Sequence, residues 1–161
     1  MFNVYLGLGS NLGNREKMLE KAAKLINERI GAVEQESAIY ETAAWGNKDQ
    51  PLFLNQVIKV VTKLLPEEVL TQITQIEEEL QRKRIAHWGT RTIDIDILFY
   101  GNEIVNSTDL IIPHKYMTER NFVLAPLNEI ASSFVHPVLK ETVADLYKNC
   151  CDNLPVVKYK N

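Results

Sequence analysis

The run Ile93-Asp94-Ile95-Asp96-Ile97 sets two carboxylates two residues apart among isoleucines. On a strand, alternation puts both acids on one face, about 6.6 Å apart along the chain at a rise of about 3.3 Å per residue, and turns the isoleucines to the core. Two neighbouring acids repel and disfavour a strand, so something should compensate them. A magnesium site would do so, because hard cations take carboxylate oxygens and Mg²⁺ uses one or two of them plus phosphate oxygens. A strand with one solvated acidic face is the competing reading, and alternation alone leaves both open.

Immediately upstream, Gln81 to Arg91 carries Arg82, Lys83, Arg84 and Arg91 and no acid. The chain totals −3, so taking away this +4 segment leaves −7 for the rest. A multi-arginine loop before an acidic metal-type pair suits transfer of a polyphosphate: divalent ions neutralise some oxygens and guanidinium groups take others bidentately. Trp88 in the same loop either caps the core or closes over a flat ligand and excludes water.

These groups need elements to hold them. Phe2 to Leu8 reads as a buried strand bounded by Gly9, and Gly9-Ser10-Asn11-Leu12-Gly13 as a turn into a helix from about Arg15 to Arg29. Met18, Ala22, Leu25, Ile26 and Ile30 form that helix's apolar face. Ala32 to Thr42 predicts a second strand and Leu52 to Thr62 a third, paired as a hairpin across the loop Ala44 to Pro51. Pro66, Glu67 and Glu68 open a second helix with the buried stripe Val69, Ile73, Ile76 and Leu80. The fourth strand, Thr92 to Tyr100, carries the acids.

The order βαββαβ predicts an α+β, ferredoxin-like core, an antiparallel sheet with both helices on one face. Beyond it, a short strand at Glu103 to Asn106, helices at Tyr116 to Ala131 and Thr142 to Asn149, and an edge strand at Val156 to Tyr159 are expected to cover one end of the core. With 161 residues, 45% hydrophobic, and no linker or repeat, one domain over 1–161 is expected.

His87-Trp88-Gly89-Thr90-Arg91-Thr92-Ile93-Asp94-Ile95-Asp96-Ile97-Leu98 closely resembles the signature of the 6-hydroxymethyl-7,8-dihydropterin pyrophosphokinases of folate biosynthesis. The resemblance spans nearly the whole chain. It includes Gly7 to Gly13, Tyr40-Glu41-Thr42, Phe53-Leu54-Asn55, Ile76-Glu77 before Arg82, and Pro113-His114 followed by Arg120 and Phe122. The chain departs from the family pattern with Gln81 where Gly is usual, His87 where Arg is common, Thr90 where Pro is common and Lys115 where an aromatic often stands.

The resemblance implies transfer of pyrophosphate from ATP to the pterin hydroxymethyl group, with AMP released and two magnesium ions held by Asp94 and Asp96. It implies phosphate or nucleotide contacts from Glu77, Arg82, Arg84, Arg91, His114, Lys115 and Arg120, with Glu77 by the ribose. It also implies a pterin sandwiched by Phe53 and Phe122. Asn55 and the chain around Thr42, Ala43 and Ala44 would read its polar edge, Asp94 would lie close by, and Trp45 and Trp88 would seal the pocket. In-line attack on the β-phosphorus would rest on positioning and charge neutralisation rather than on a dedicated base.

Composition narrows the rest. A pI near 5.7 argues against a polyanion-coating surface. No run reaches the about 18 apolar residues of a membrane span. Adjacent Cys150 and Cys151 fit a reducing compartment. A cytoplasmic monomer that binds neither nucleic acid nor membrane is expected. An RNA-binding module of this fold lacks support, because no ribonucleoprotein-type Lys/Arg-Gly-aromatic run occurs. A two-metal nucleotidyl cyclase is the rival enzyme, distinguished by its cyclic product.

Overall fold

The structure is a computed structural model. It describes residues 1–43, 51–82 and 93–160, with Arg82 described for its backbone alone. In chain order it contains β1 (Phe2–Ser10), α1 (Arg15–Arg29), β2 (Gly31–Glu36), β3 (Tyr40–Thr42), β4 (Phe53–Thr62), α2 (Pro66–Arg82) and β5 (Asp94–Tyr100). There follow β6 (Val105–Asn106), β7 (Ile111–Ile112), a 3-10 turn at Met117–Glu119, α3 (Asn121–Ala131), α4 (Val143–Lys148) and β8 (Val156–Lys158).

The sheet order is β5-β1-β4-β3-β8, with β2 also on β4, and every pairing is antiparallel. This is the expected ferredoxin-like arrangement. Helices α1 and α2 pack on one face: Met18, Ala22, Ile26, Val69, Ile73, Ile76 and Leu80 meet Val4, Leu6, Leu8, Ile93, Ile95 and Ile97 in one buried cluster. Asn14 caps α1 by accepting the Lys17 N–H at 3.1 Å. Gly13, at φ +65°, supplies the left-handed turn before it.

Three expectations need correction. The second strand is not continuous over Ala32 to Thr42 but divides into β2 and β3. Ser37 causes the break: its hydroxyl takes the place of a ladder carbonyl, accepting the Val57 N–H at 3.0 Å while donating to Ala38 O at 2.7 Å. The C-terminal helices do not cover an end of the core. α3 and α4 cover part of the sheet's second face, where Met117, Val123, Leu127 and Val143 bury Tyr5, Val57, Leu98 and Phe99. Gly9 is no boundary either, since β1 continues through it to Ser10.

His136, in the loop between α3 and α4, is 6% exposed and stacks edge-on against Phe99. Its Nδ1 accepts the N–H groups of Val138 and Leu139 at 3.2 and 3.1 Å. Burial holds its pKa below the usual value, with Glu141 opposing. The unfolded chain therefore takes up a proton at a higher pH than the folded one. Stability is fully present above about pH 6.5 and is lost as pH falls below it, with a limiting slope of about 1.4 kcal/mol per pH unit. Urea unfolding at about pH 7.5 and about pH 5.5 should show this loss, and His136→Asn, which keeps an acceptor for both N–H groups, should lose less. Equal losses in both proteins would refute the assignment.

Candidate active site

Each central strand changes character at the same level of the second face. Moving along β1 the residues facing it are Tyr5, Gly7 and Gly9; along β4, Val57, Asn55 and Phe53; along β5, Leu98, Asp96 and Asp94. The strand register aligns them into rows. Gly9 lies between Asn55 and Asp94, and Gly7 between Val57 and Asp96. The large apolar half of this face lies under α3 and α4, and the small and polar half floors a cavity of about 240 Å³. With strands about 4.8 Å apart, the Asn55 and Asp94 backbones stand roughly 10 Å from one another across a glycine, enough for a flat bicyclic ring.

A β-bulge makes the two halves meet. Tyr5 pairs with Phe99 but Leu6 with Ile97, which leaves Leu98 as the extra residue. Leu98 and Phe99 thus both join the second-face cluster, while Ile95 and Ile97 keep to the first. Asp94 is half-buried and Asp96 exposed, both on the cavity wall. The expected alternation of carboxylates and isoleucines is what β5 displays.

The polar wall is held from two sides. Asn55 Nδ2 donates to Thr42 Oγ1 at 3.0 Å, and both residues are buried. This fixes the amide so that its Oδ1 end lies beside Gly9, where a Cβ would come within 3.2 Å of it. Phe53 and Ala43 complete that wall, and Phe122 and Arg120, at the start of α3, form the wall opposite. The Arg120 guanidinium stands 5.2 Å from the Tyr116 ring centre and 5.7 Å from that of Phe122.

Helix α2 secures the outer edge of β5 at the acids. Glu77 Oε2 accepts the Ile95 N–H at 2.8 Å, and Gln81 Nε2 donates to Ile93 O at 3.3 Å. Glu77 is therefore no ordinary surface residue. One turn apart, it and Gln81 satisfy edge groups on either side of Asp94, and Gln81 does so with a side chain that the usual glycine would lack.

His114 approaches from the β7 side, its own N–H bonded to Leu98 O at 3.1 Å. Its Nε2 stands 3.9 Å from Asp96 Oδ1, and its Nδ1 accepts the Tyr116 N–H at 3.2 Å. Burial lowers its pKa, Asp96 opposes that shift, and Arg120 adds to it. With Nδ1 taken up as an acceptor, the ring turns Nε2 toward Asp96.

A second cavity, of about 300 Å³, adjoins the first. Leu70, Ile97, Leu110, Ile111 and Tyr116 line it together with Asp96, His114 and Lys115. The sequence reading missed its apolar members. The available signal was Leu70, an apolar residue of α2 lying off the buried stripe. The glycine floor was missed as well, because Gly9 read as the start of a turn and Gly7 as an ordinary position of a buried strand.

The paired carboxylates suit magnesium. They are hard oxygen donors on a cavity wall; among the described residues no group of three or more Asp, Glu, His or Cys that could hold a metal ion occurs, so the pair would need water and substrate phosphate to complete a coordination shell. Mg²⁺ characteristically keeps positions open for water and substrate phosphate. Of the other expected site residues, Arg82 ends α2. Ala44, Trp45, Arg84, His87, Trp88 and Arg91 lie outside the described residues.

Fold and site together define a small ferredoxin-like protein with paired strand carboxylates between two adjoining cavities. The model of the 7,8-dihydro-6-hydroxymethylpterin-pyrophosphokinase family matches residues 5–132, and the chain belongs to that family. A 2-amino-4-hydroxy-6-hydroxymethyldihydropteridine pyrophosphokinase of Aquifex aeolicus is 41% identical over 145 residues, covering 90% of each chain. The folic acid synthesis protein of Pneumocystis carinii is 44% identical over 163 residues, covering 98% of this chain but 22% of that protein. A crystal structure of Plasmodium falciparum HPPK-DHPS superposes with a TM-score of 0.77 at 20% identity, covering 91% of this chain and 43% of that one, and so shares the fold.

Proposed function

We propose that the two cavities divide the two substrates of the family's reaction, transfer of pyrophosphate from ATP to the hydroxymethyl group of 6-hydroxymethyl-7,8-dihydropterin in folate biosynthesis. The observation that carries this reading is that Asp96 lines both cavities. The point of transfer must lie where a ligand in one can reach a ligand in the other.

The pterin would lie on Gly7 and Gly9 with Phe53 and Phe122 flanking its ring. Thr42, Ala43 and the Asn55 amide would face its polar edge, and Ala44, Trp45 and Trp88 would complete the pocket. An aromatic pair plus a fixed amide suits a flat heterocycle bearing donors and acceptors. The adenine would occupy the second cavity between Leu70, Ile97, Leu110, Ile111 and Tyr116, its phosphates leading past His114 to Asp96. Arg82, Arg84, Arg91, Lys115 and Arg120 would take phosphate oxygens. Glu77 would lie by the ribose and, through the Ile95 N–H that it holds, would also fix both acids from behind.

Asp94 and Asp96 would hold two magnesium ions. When bound, magnesium supplies charge neutralisation to the phosphate oxygens and lowers the pKa of a nearby hydroxyl. The pterin hydroxyl oxygen would bond to the β-phosphorus as its proton passes to solvent, the bridge between the α- and β-phosphates would break, and AMP would leave with the bridging oxygen. The chain's contribution is alignment of nucleophile and leaving group and a fixed field around them. No described residue is placed to act only as a base.

A single-domain monomer acting in the cytoplasm is part of the same proposal. The single domain is supported by the way β1, β4 and β5 each feed both buried clusters, so that neither cluster forms without the other's strands. Among the described residues no helix is long and apolar enough to cross a membrane.

The test is the fate of ATP. With magnesium, AMP should appear only when the hydroxymethyl pterin is present, in equal amount to a pterin diphosphate ester. A cyclic nucleotide product, or AMP formed without the pterin, would overturn the reading.

A further inference from the structure

We infer that the C-terminal tail, Asp152 to Lys160, is a strap that sets the width of the first cavity, and that Asp152 is a positioning residue for the pterin. The inference rests on the pterin reading of that cavity. The tail lies beyond residues 5–132, the part matched by the family model.

The wall formed by α3 begins with Arg120, Asn121 and Phe122. Arg120 stands at the N-cap position of α3, but a guanidinium has no acceptor and makes no capping bond there. Asp152 supplies the missing carboxylate from 31 residues away: Oδ2 accepts the Asn121 N–H at 3.0 Å. The Asn121 amide returns a bond to Asp152 O at 2.8 Å, and Asp152 Oδ1 accepts the Leu154 N–H at 3.0 Å, which turns the chain toward the sheet. A carboxylate here also meets the positive end of the helix dipole.

Four residues later the tail reaches the opposite wall. Val156 pairs with Thr42, Val157 with Glu41 and Lys158 with Tyr40, and the Tyr159 N–H donates to Ile39 O at 2.9 Å. The far end is tied down by Arg15, which lies 5.5 Å from the Tyr159 ring centre and bonds Glu41 Oε2 at 2.9 Å. One short segment therefore joins the residue between Arg120 and Phe122 to the strand that carries Thr42, the partner of Asn55. Four residues span at most about 14 Å. Phe122 cannot retreat from Asn55 without breaking the Asp152 bonds or peeling β8 from β3.

The test uses the full chain. In Asp152→Ala the KM for the pterin should rise about tenfold and that for ATP several times less, because the tail does not line the second cavity and bears on the phosphates only through Arg120 at the N-cap of α3. Asp152→Asn keeps one acceptor and should recover much of the pterin KM. Two glycines inserted after Asn153 keep Asp152 and β8 but lengthen the strap, and should also raise the pterin KM. A pterin KM within twofold of wild type in both Asp152→Ala and the insertion would overturn the inference, even if thermal stability fell. Should Asp152→Ala fail to fold, the insertion alone decides. Pterin dissociation constants, read by pterin fluorescence, separate this from the activity: a wild type that binds pterin but releases no AMP refutes the reaction, not the strap.

Discussion

Asp96→Ala should lower pterin-dependent AMP formation by about three orders of magnitude or more, the scale of losing a principal electrostatic element of a polyphosphate transfer site. Asp96 is the one residue of the acidic pair that faces both cavities, and its side chain is half exposed. Its removal leaves no cavity in the core and no buried partner unsatisfied. Stability should therefore change by less than about 0.5 kcal/mol, a shift of about 2 °C or less in Tm. Asp96→Asn keeps the shape but not the charge and should be almost as inactive. Raising magnesium tenfold should recover part of the Asn variant's activity and none of the Ala variant's. An Ala variant that retains more than a tenth of wild-type turnover, with a normal melting curve, would remove Asp96 from the metal assignment.

The second large effect is expected at Asn55. Its amide is 6% exposed, anchored through Nδ2 to Thr42, and packed against Gly9. With one Nδ2 hydrogen given to Thr42 and Oδ1 lying beside Gly9, the amide offers the cavity an acceptor that suits a ring edge bearing N–H groups. Asn55→Ala should raise the KM for the pterin about a hundredfold, the equivalent of losing one well-placed hydrogen-bonding group in a closed site. The KM for ATP should hardly move. Some stability should go too, about 1–3 kcal/mol, because the Thr42 hydroxyl loses its donor and a void opens beneath the ring. Thr42→Ala cuts the anchor but leaves the amide, and its effect on the pterin KM should be several times smaller. If steady-state kinetics found the Asn55→Ala pterin KM within threefold of wild type, the pterin could not lie on the Asn55-Gly9-Asp94 row.

Much of this architecture was legible because it depends on local period. The four-residue and three-residue spacing of Val69, Ile73, Ile76 and Leu80 can only be one helical face, and all four are buried. Alternation alone put Asp94 and Asp96 on one side of β5 and the isoleucines on the other. The division of the second predicted strand was not legible: at Ser37 a side-chain hydroxyl enters the ladder, and nothing in the hydrophobic pattern separates such a serine from any other strand residue. The position of α3 and α4 was half visible. Val57, Ile58 and Val60 in succession signal a strand covered on both faces, but not which later element supplies the second cover.

The sequence by itself determined the order of elements, the facing of the two acids and, through its resemblance to a family, the chemistry. These are set by neighbours within a few residues and by motifs, and so can be read along the chain. Only the tertiary structure decided that Gly7 and Gly9 are a floor, that Asn55 and Asp94 flank the same glycine, and that Asp96 belongs to two cavities. It also decided that Asp152, 31 residues past Asn121, closes the helix carrying Phe122. Each of these depends on strand register and on contacts distant in sequence. Such contacts are chosen by the packing of the whole sheet and leave no periodic trace in any one segment.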